Sequence, residues 1–174
     1  MGRKHADKKP RTIGRTLHLV DADNLLRDPE TLDDAFIADV LFAYRRASQY
    51  QPGDQVVVAS NPHALHAAAL HLAWPGVTHR WRGGDDGADL ELLEAASWAA
   101  STQRFDRVVL GSGDRIFLAA LDELRGQDVT VDVVGRRGNM ATAMAVRSGG
   151  VHYVDDVMRR RIRDRAEHPL RHPA

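Results

Sequence analysis

Apolar residues along this chain follow two rhythms. Short β-branched runs, LHLV at 17–20, QVVVAS at 55–60, DRVVLG at 106–111 and VTVDVV at 129–134, alternate with longer stretches in which apolar residues return every three to four positions. The runs have the length and composition of strands buried on both faces, and the longer stretches have the period of amphipathic helices. After the first strand and a turn at 28–30, the spacing predicts a helix over 32–48. Thr31 would be its N-cap, and Ala35, Phe36, Val40, Leu41, Tyr44 and Ala47 would form one apolar face. The turn formers at 51–54 end it before the second strand. Asn61-Pro62 is then expected to open an Ala/Leu/His helix to Ala73, closed by Trp74-Pro75-Gly76.

Downstream, the pattern predicts a third strand over 77–82, a Gly/Asp loop over 83–87 and a strong helix over 88–101. The fourth strand leads into a helix over 114–124 and the fifth into one over 140–147; a short strand at 151–154 and a basic helix from Asp155 that frays at His168-Pro169 complete the series. Strands alternating with helices at this spacing imply right-handed βαβ units. The expected fold is α/β, a three-layer α/β/α domain with a mainly parallel central sheet of five to six strands. With 174 residues and 43% hydrophobic content, the chain suits one domain. We place that domain at 16–157, between a basic N-terminal tail over 1–15 and a basic C-terminal helix and tail over 158–174.

Charge changes this picture by its distribution. The formal net charge is zero, yet residues 1–15 carry six Lys or Arg against one Asp, and residues 158–174 carry six Arg against two acids. The body between them is therefore acidic, as suits a protein that holds cations centrally and a polyanion at its ends. Absence of cysteine excludes disulfide and thiolate chemistry. No apolar segment reaches membrane-spanning length, so a cytoplasmic location without a membrane partner is expected.

The chemistry lies in what ends each strand. The first runs into Asp21, Asp23 and Asn24; the loop after the third delivers Asp89 in the first turn of a helix; the fourth runs into Gly111-Ser112-Gly113-Asp114. In a parallel sheet these connections share the edge beyond the carboxyl ends of the strands, where ligands bind. Each Asp alone is compatible with routine helix capping. Three on one edge, with Asp23, Asp85 or Asp86 as supplements, offer only oxygen ligands, and the ion implied is Mg²⁺ or Mn²⁺.

This order of motifs, Val20-Asp21-Ala22-Asp23-Asn24, then Gly87-Ala88-Asp89, then an apolar run into Gly111-Ser112-Gly113-Asp114 followed by Phe117, then a strand ending in Gly135, resembles the NYN domains of the PIN-like nuclease superfamily over roughly 16–157. The resemblance implies a Mg²⁺-dependent ribonuclease acting on RNA. Asp21, Asp89 and Asp114 would be its catalytic metal-site carboxylates, with Asn24, Ser112 and Asp23 in support. Many such domains carry a second acid two residues after the Asp of their SGD motif; Ile116 stands there in this chain and cannot bind metal.

Arg80, Arg82, Arg115, Arg136 and Arg137 are candidates to grip flanking phosphates of RNA, because guanidinium matches phosphate in bidentate fashion. Trp81 is expected to pack in the core, and His63, His66 and His71 to lie half-buried on the surface of an Ala-rich helix. Two other readings of the residues stand beside the nuclease. One is an RNA-binding or adaptor protein that kept the fold without activity, consistent with Ile116. The other is a phosphatase, since Val20 to Asn24 is also similar to the first motif of haloacid-dehalogenase-like enzymes, with Ser60 and Gly113-Asp114 as later motifs. That chemistry wants a Lys in the body of the domain, and none follows Lys9.

Overall fold

The structure, a computed structural model, describes residues 14–27, 33–64 and 66–167. Six strands, β1 (Thr16–Asp21), β2 (Gln55–Ser60), β3 (Thr78–Trp81), β4 (Arg107–Gly111), β5 (Thr130–Gly135) and β6 (Gly150–Tyr153), form one sheet in the order β3-β2-β1-β4-β5-β6. Every pairing is parallel. The helices are α1 (Ala22–Leu25), α2 (Asp34–Ala47), α3 (Ala67–Ala73), α4 (Gly87–Thr102), α5 (Leu118–Gly126), α6 (Thr142–Arg147) and α7 (Val154–Glu167). The three-layer α/β/α arrangement expected from the sequence is therefore present.

Side chains alternate across each strand, so β1 feeds two cores at once. Leu17 and Leu19 join the cluster beneath α4, α5 and α6, whereas Val20 joins the cluster beneath α1, α2, α3 and α7. Between them sits His18, fully buried within what the pattern presents as a plain apolar run. Its Nδ1 lies 3.0 Å from the Tyr44 hydroxyl and its Nε2 3.1 Å from Asp54 Oδ2. Those partners satisfy the polar atoms that burial would otherwise strand.

Element boundaries shift for identifiable reasons. The helix expected from residue 32 begins at Asp34, because the Asp33 carboxylate accepts from Phe36 N at 2.7 Å and caps it there. Thr31, the turn at 28–30, nearly all of the tail over 1–15, and His168-Pro169 lie outside the described residues. The helix expected from Asn61-Pro62 starts only at Ala67. Asn61 Oδ1 accepts from His63 N at 2.9 Å, and the Asn61 carbonyl accepts from Ala64 N at 3.0 Å, winding this segment into a turn. Asp114 likewise caps a 3₁₀ turn at Arg115–Phe117 before α5 begins. The last helix, α7, places Val154, Val157 and Met158 against the α2 side of the sheet.

The strand order reverses direction between β1 and β4. The connections from β1 and β2 run over one face and those from β3, β4 and β5 over the other, which leaves a crevice beyond the carboxyl ends of β1 and β4. Helix α4 covers that crevice and is seated by Leu92, which is fully buried, while Leu90 is 43% exposed on the same helix. Leu92→Ala is expected to cost about 2–5 kcal/mol in urea unfolding. Leu90→Ala should stay within about 0.5 kcal/mol of the parent, and equal losses from the two would contradict this seating.

Candidate metal centre

Asp21 is the last residue of β1 and shares the sheet face of Leu17 and Leu19, the face covered by α4. Helix α4 brings Asp89 to that face in its first turn, and the connection after β4 brings Asp114. All three line one cavity of about 280 Å³ together with Asp23, Asn24, Asp86 and Arg27. Two tight loops make the approach possible. A Cβ on Gly87 would fall 2.3 Å from the Arg82 carbonyl oxygen, and one on Gly113 would fall 2.3 Å from the Asn139 carbonyl oxygen, so each backbone passes where only glycine fits.

Hydrogen bonds hold Asp21 in place. Its Oδ1 accepts from Asn24 N at 3.0 Å and its Oδ2 from Ser112 Oγ at 3.0 Å. Ser112 Oγ in turn accepts from Asp114 N at 3.2 Å, and Asn24 Oδ1 from Gly113 N at 3.4 Å. The supports expected from sequence, Asn24 and Ser112, thus stitch the end of β1 to the end of β4. Asp23 does something different. Its Oδ1 accepts from Ser60 Oγ at 2.9 Å and lies 2.9 Å from His66 Nε2, while its Oδ2 accepts from Asn61 N at 2.8 Å. Burial alone would raise the Asp23 carboxyl, but these bonds outweigh it and hold it below the usual range.

The electrostatics of the Asp21 and Asp89 pair run the other way. Burial first, then the neighbouring Asp89, push the Asp21 carboxyl up to about 7 against the bond from Asn24 N. Burial, Asp114 and Asp86 push Asp89 up to about 6. The Asp89 charge opposes ionisation of Asp21, so the two carboxyls are held close enough to resist ionising together. Asp89 Oδ1 is buried without any partner. An unsatisfied buried oxygen beside a second carboxyl that resists ionising is the arrangement that a bound cation would relieve. Among the described residues, no three His, Asp or Glu side chains are drawn together as a complete metal cage. Mg²⁺ does not need one, because it commonly takes one or two carboxylates and fills its octahedron with water and substrate phosphate.

The arginines nominated from sequence lie elsewhere. Arg80 reaches the Glu91 carbonyl at 3.3 Å, and Arg82 the Glu94 carboxylate at 2.9 Å. Arg136 pairs with Asp155 at 3.0 Å, Arg137 with Asp156 at 2.7 Å, and Arg115 is exposed. The cation that does line the cavity is Arg27, which sequence pattern missed because it falls at the end of an apolar segment with no motif around it. His66 was also misjudged. It is buried against Asp23 instead of lying half-exposed on a helix, since the turn over 61–64 swings it inward ahead of α3. Ser60 serves Asp23, and Ile116 packs against the core beneath α4 and α5.

The sequence profile of the NYN domain matches residues 15–155. Among solved structures, a protein of unknown function from Vibrio parahaemolyticus is similar, with a TM-score of 0.61 at 15% identity, covering 85% of this chain and 98% of its own. That likeness concerns the fold. No curated protein is significantly similar to the chain. Among the described residues, no helix is long and apolar enough to cross a membrane.

Both raised carboxyls retain protons in the folded chain that the unfolded chain releases above about pH 4. Their contribution to stability is therefore full below that value and is lost as pH rises through 6 to 7. In EDTA, the melting temperature should fall between pH 5 and pH 8 by several degrees more in the parent than in Asp21→Asn. At pH 8 the variant should be the more stable of the two, and Mg²⁺ should raise only the parent. Parallel pH profiles for the two proteins would contradict the carboxyl pair.

Proposed function

The chain belongs to the NYN domain family of the PIN-like nuclease superfamily, and from that premise and the geometry of its acidic cavity we propose that it is a divalent-cation-dependent ribonuclease. The observation that carries the proposal is the buried, unpartnered Asp89 Oδ1 in one cavity with Asp21 and Asp114, at the point where the strand order reverses. Asp21 and Asp89 would hold Mg²⁺ or Mn²⁺, with Asp114 completing the acidic wall from the rim. When bound, such an ion supplies Lewis-acid stabilisation of charge on the phosphate and a more acidic water.

The remaining roles fall to the chain itself. Ser112 and Asn24 N fix both oxygens of Asp21, so the carboxylate does not reorganise during reaction. Among the described residues no Ser, Thr, His or Tyr side chain lines the cavity, and a water would serve as the nucleophile. In-line attack of that water on phosphorus would break the bond to the 3′ oxygen, which takes a proton from solvent and leaves as a hydroxyl, and give a 5′ phosphate; Asp114, exposed at the rim, would accept the proton of the attacking water. Arg27 faces the same space with a guanidinium suited to the non-bridging phosphate oxygens.

A second reading, an RNA-binding protein without cleavage, is favoured by one observation: the position of the family's additional acid is given over to packing by Ile116. The two readings separate in a single assay. Asp21→Asn, Asp89→Asn and Asp114→Asn should each lower Mg²⁺- or Mn²⁺-dependent cleavage of labelled single-stranded RNA by about 100-fold or more, with unchanged circular dichroism. Equal cleavage by parent and variants would remove the assignment, and RNA affinity without cleavage under either ion would favour the second reading.

A further inference from the structure

A second cavity, of about 500 Å³, opens on the α3 side of β3 and is lined by Pro62, Ala67, Ala68, His71, Leu72 and Trp81. Sequence pattern places Trp81 in the core, but the structure leaves it 40% exposed. The late start of α3 explains this, since the turn over 61–64 leaves the end of β3 uncovered on the face where a longer helix would lie. One face of the indole is stacked on His79, with ring centroids 5.6 Å apart and planes 9° from parallel. His71 meets His79 edge-on at 4.6 Å. The lining carries no acidic residue, in contrast to the neighbouring cavity.

The two cavities have no lining residue in common, but short links tie one to the other. Trp81 lies beside Ser60 in the β2–β3 register, and Ser60 holds Asp23, which lines the acidic cavity. Asn61 N and His66 grip Asp23, and their neighbours Pro62 and Ala67 line the apolar cavity. Three residues beyond Trp81 the chain reaches Gly84, itself at the acidic cavity, so no more than about 11 Å of backbone separates them. About one to three nucleotides of a single strand cover that distance.

From this arrangement we infer that the Trp81 cavity is a base-binding subsite, seating one unpaired RNA base a short distance from the phosphate held at the acidic cavity. The occupant must be flat, apolar on its faces and attached to a phosphate chain; an unpaired nucleobase stacked on a pre-oriented indole meets all three requirements. The inference rests on RNA being the substrate and adds where the strand is gripped.

Binding of a labelled single-stranded oligoadenylate and of an abasic ribose-phosphate oligomer of equal length, measured by anisotropy at low salt with Ca²⁺ in place of Mg²⁺, tests it. The parent should prefer the oligoadenylate. Trp81→Ala should weaken that binding about 5- to 100-fold without altering affinity for the abasic oligomer, and Trp81→Phe should recover most of the loss. Equal losses on both oligomers, no effect of Trp81→Ala, or no base preference in the parent would overturn the subsite. A change of Trp81→Ala in sedimentation alone would do the same and assign the face to a second copy of the chain. Because the assay needs no cleavage, a parent that selects bases but never cuts would refute only the ribonuclease. A parent that cuts but is indifferent to Trp81→Ala would refute only the subsite.

Discussion

Two carboxyl groups held against each other in a partly dry crevice dominate this molecule. Asp21 cannot withdraw, because it closes the central strand β1 and both of its oxygens are bonded. Asp89 cannot withdraw either, because Leu92 and the alanines of α4 seat its helix on the sheet. Burial first, and the neighbouring acids after it, raise both carboxyls above the usual range. The packing that builds the core is thus also what strains the site electrostatically.

The surrounding network sorts the acids by role. Asp23, only two residues from Asp21, is satisfied by Ser60, His66 and Asn61 N, so it braces the loop after β2. Asp114 caps a turn with one oxygen and stays exposed at the rim. Identical side chains on one sheet edge therefore occupy three electrostatic situations, set by what each backbone segment donates. The same segment that braces Asp23 ends in a short helix that leaves Trp81 open, which ties the acidic cavity to its apolar neighbour.

Much of this was legible in the sequence, for a physical reason. Continuous β-branched runs separated by helical periods leave little choice but a parallel sheet, and a parallel sheet puts every strand end on one edge. That places Asp21, Asp89 and Asp114 on one edge, while Asn24 and Ser112 were legible only through the resemblance to NYN domains. What the pattern missed depends on tertiary choice. His18 is buried because Tyr44 and Asp54, distant in sequence, satisfy it. His66 and Trp81 took unexpected positions because a side-chain bond at Asn61 delayed a helix. Arg82 and Arg136, just beyond β3 and β5, pair with carboxylates, and Arg27, which no motif marks, lines the cavity.

The central claim is that Asp21, Asp89 and Asp114 share one hard cation. Anomalous scattering from crystals soaked in Mn²⁺ tests it most directly. A peak is expected inside the cavity, touching Asp21 and Asp89 and within direct or water-bridged reach of Asp114. A cavity without a peak at saturating Mn²⁺ would contradict it.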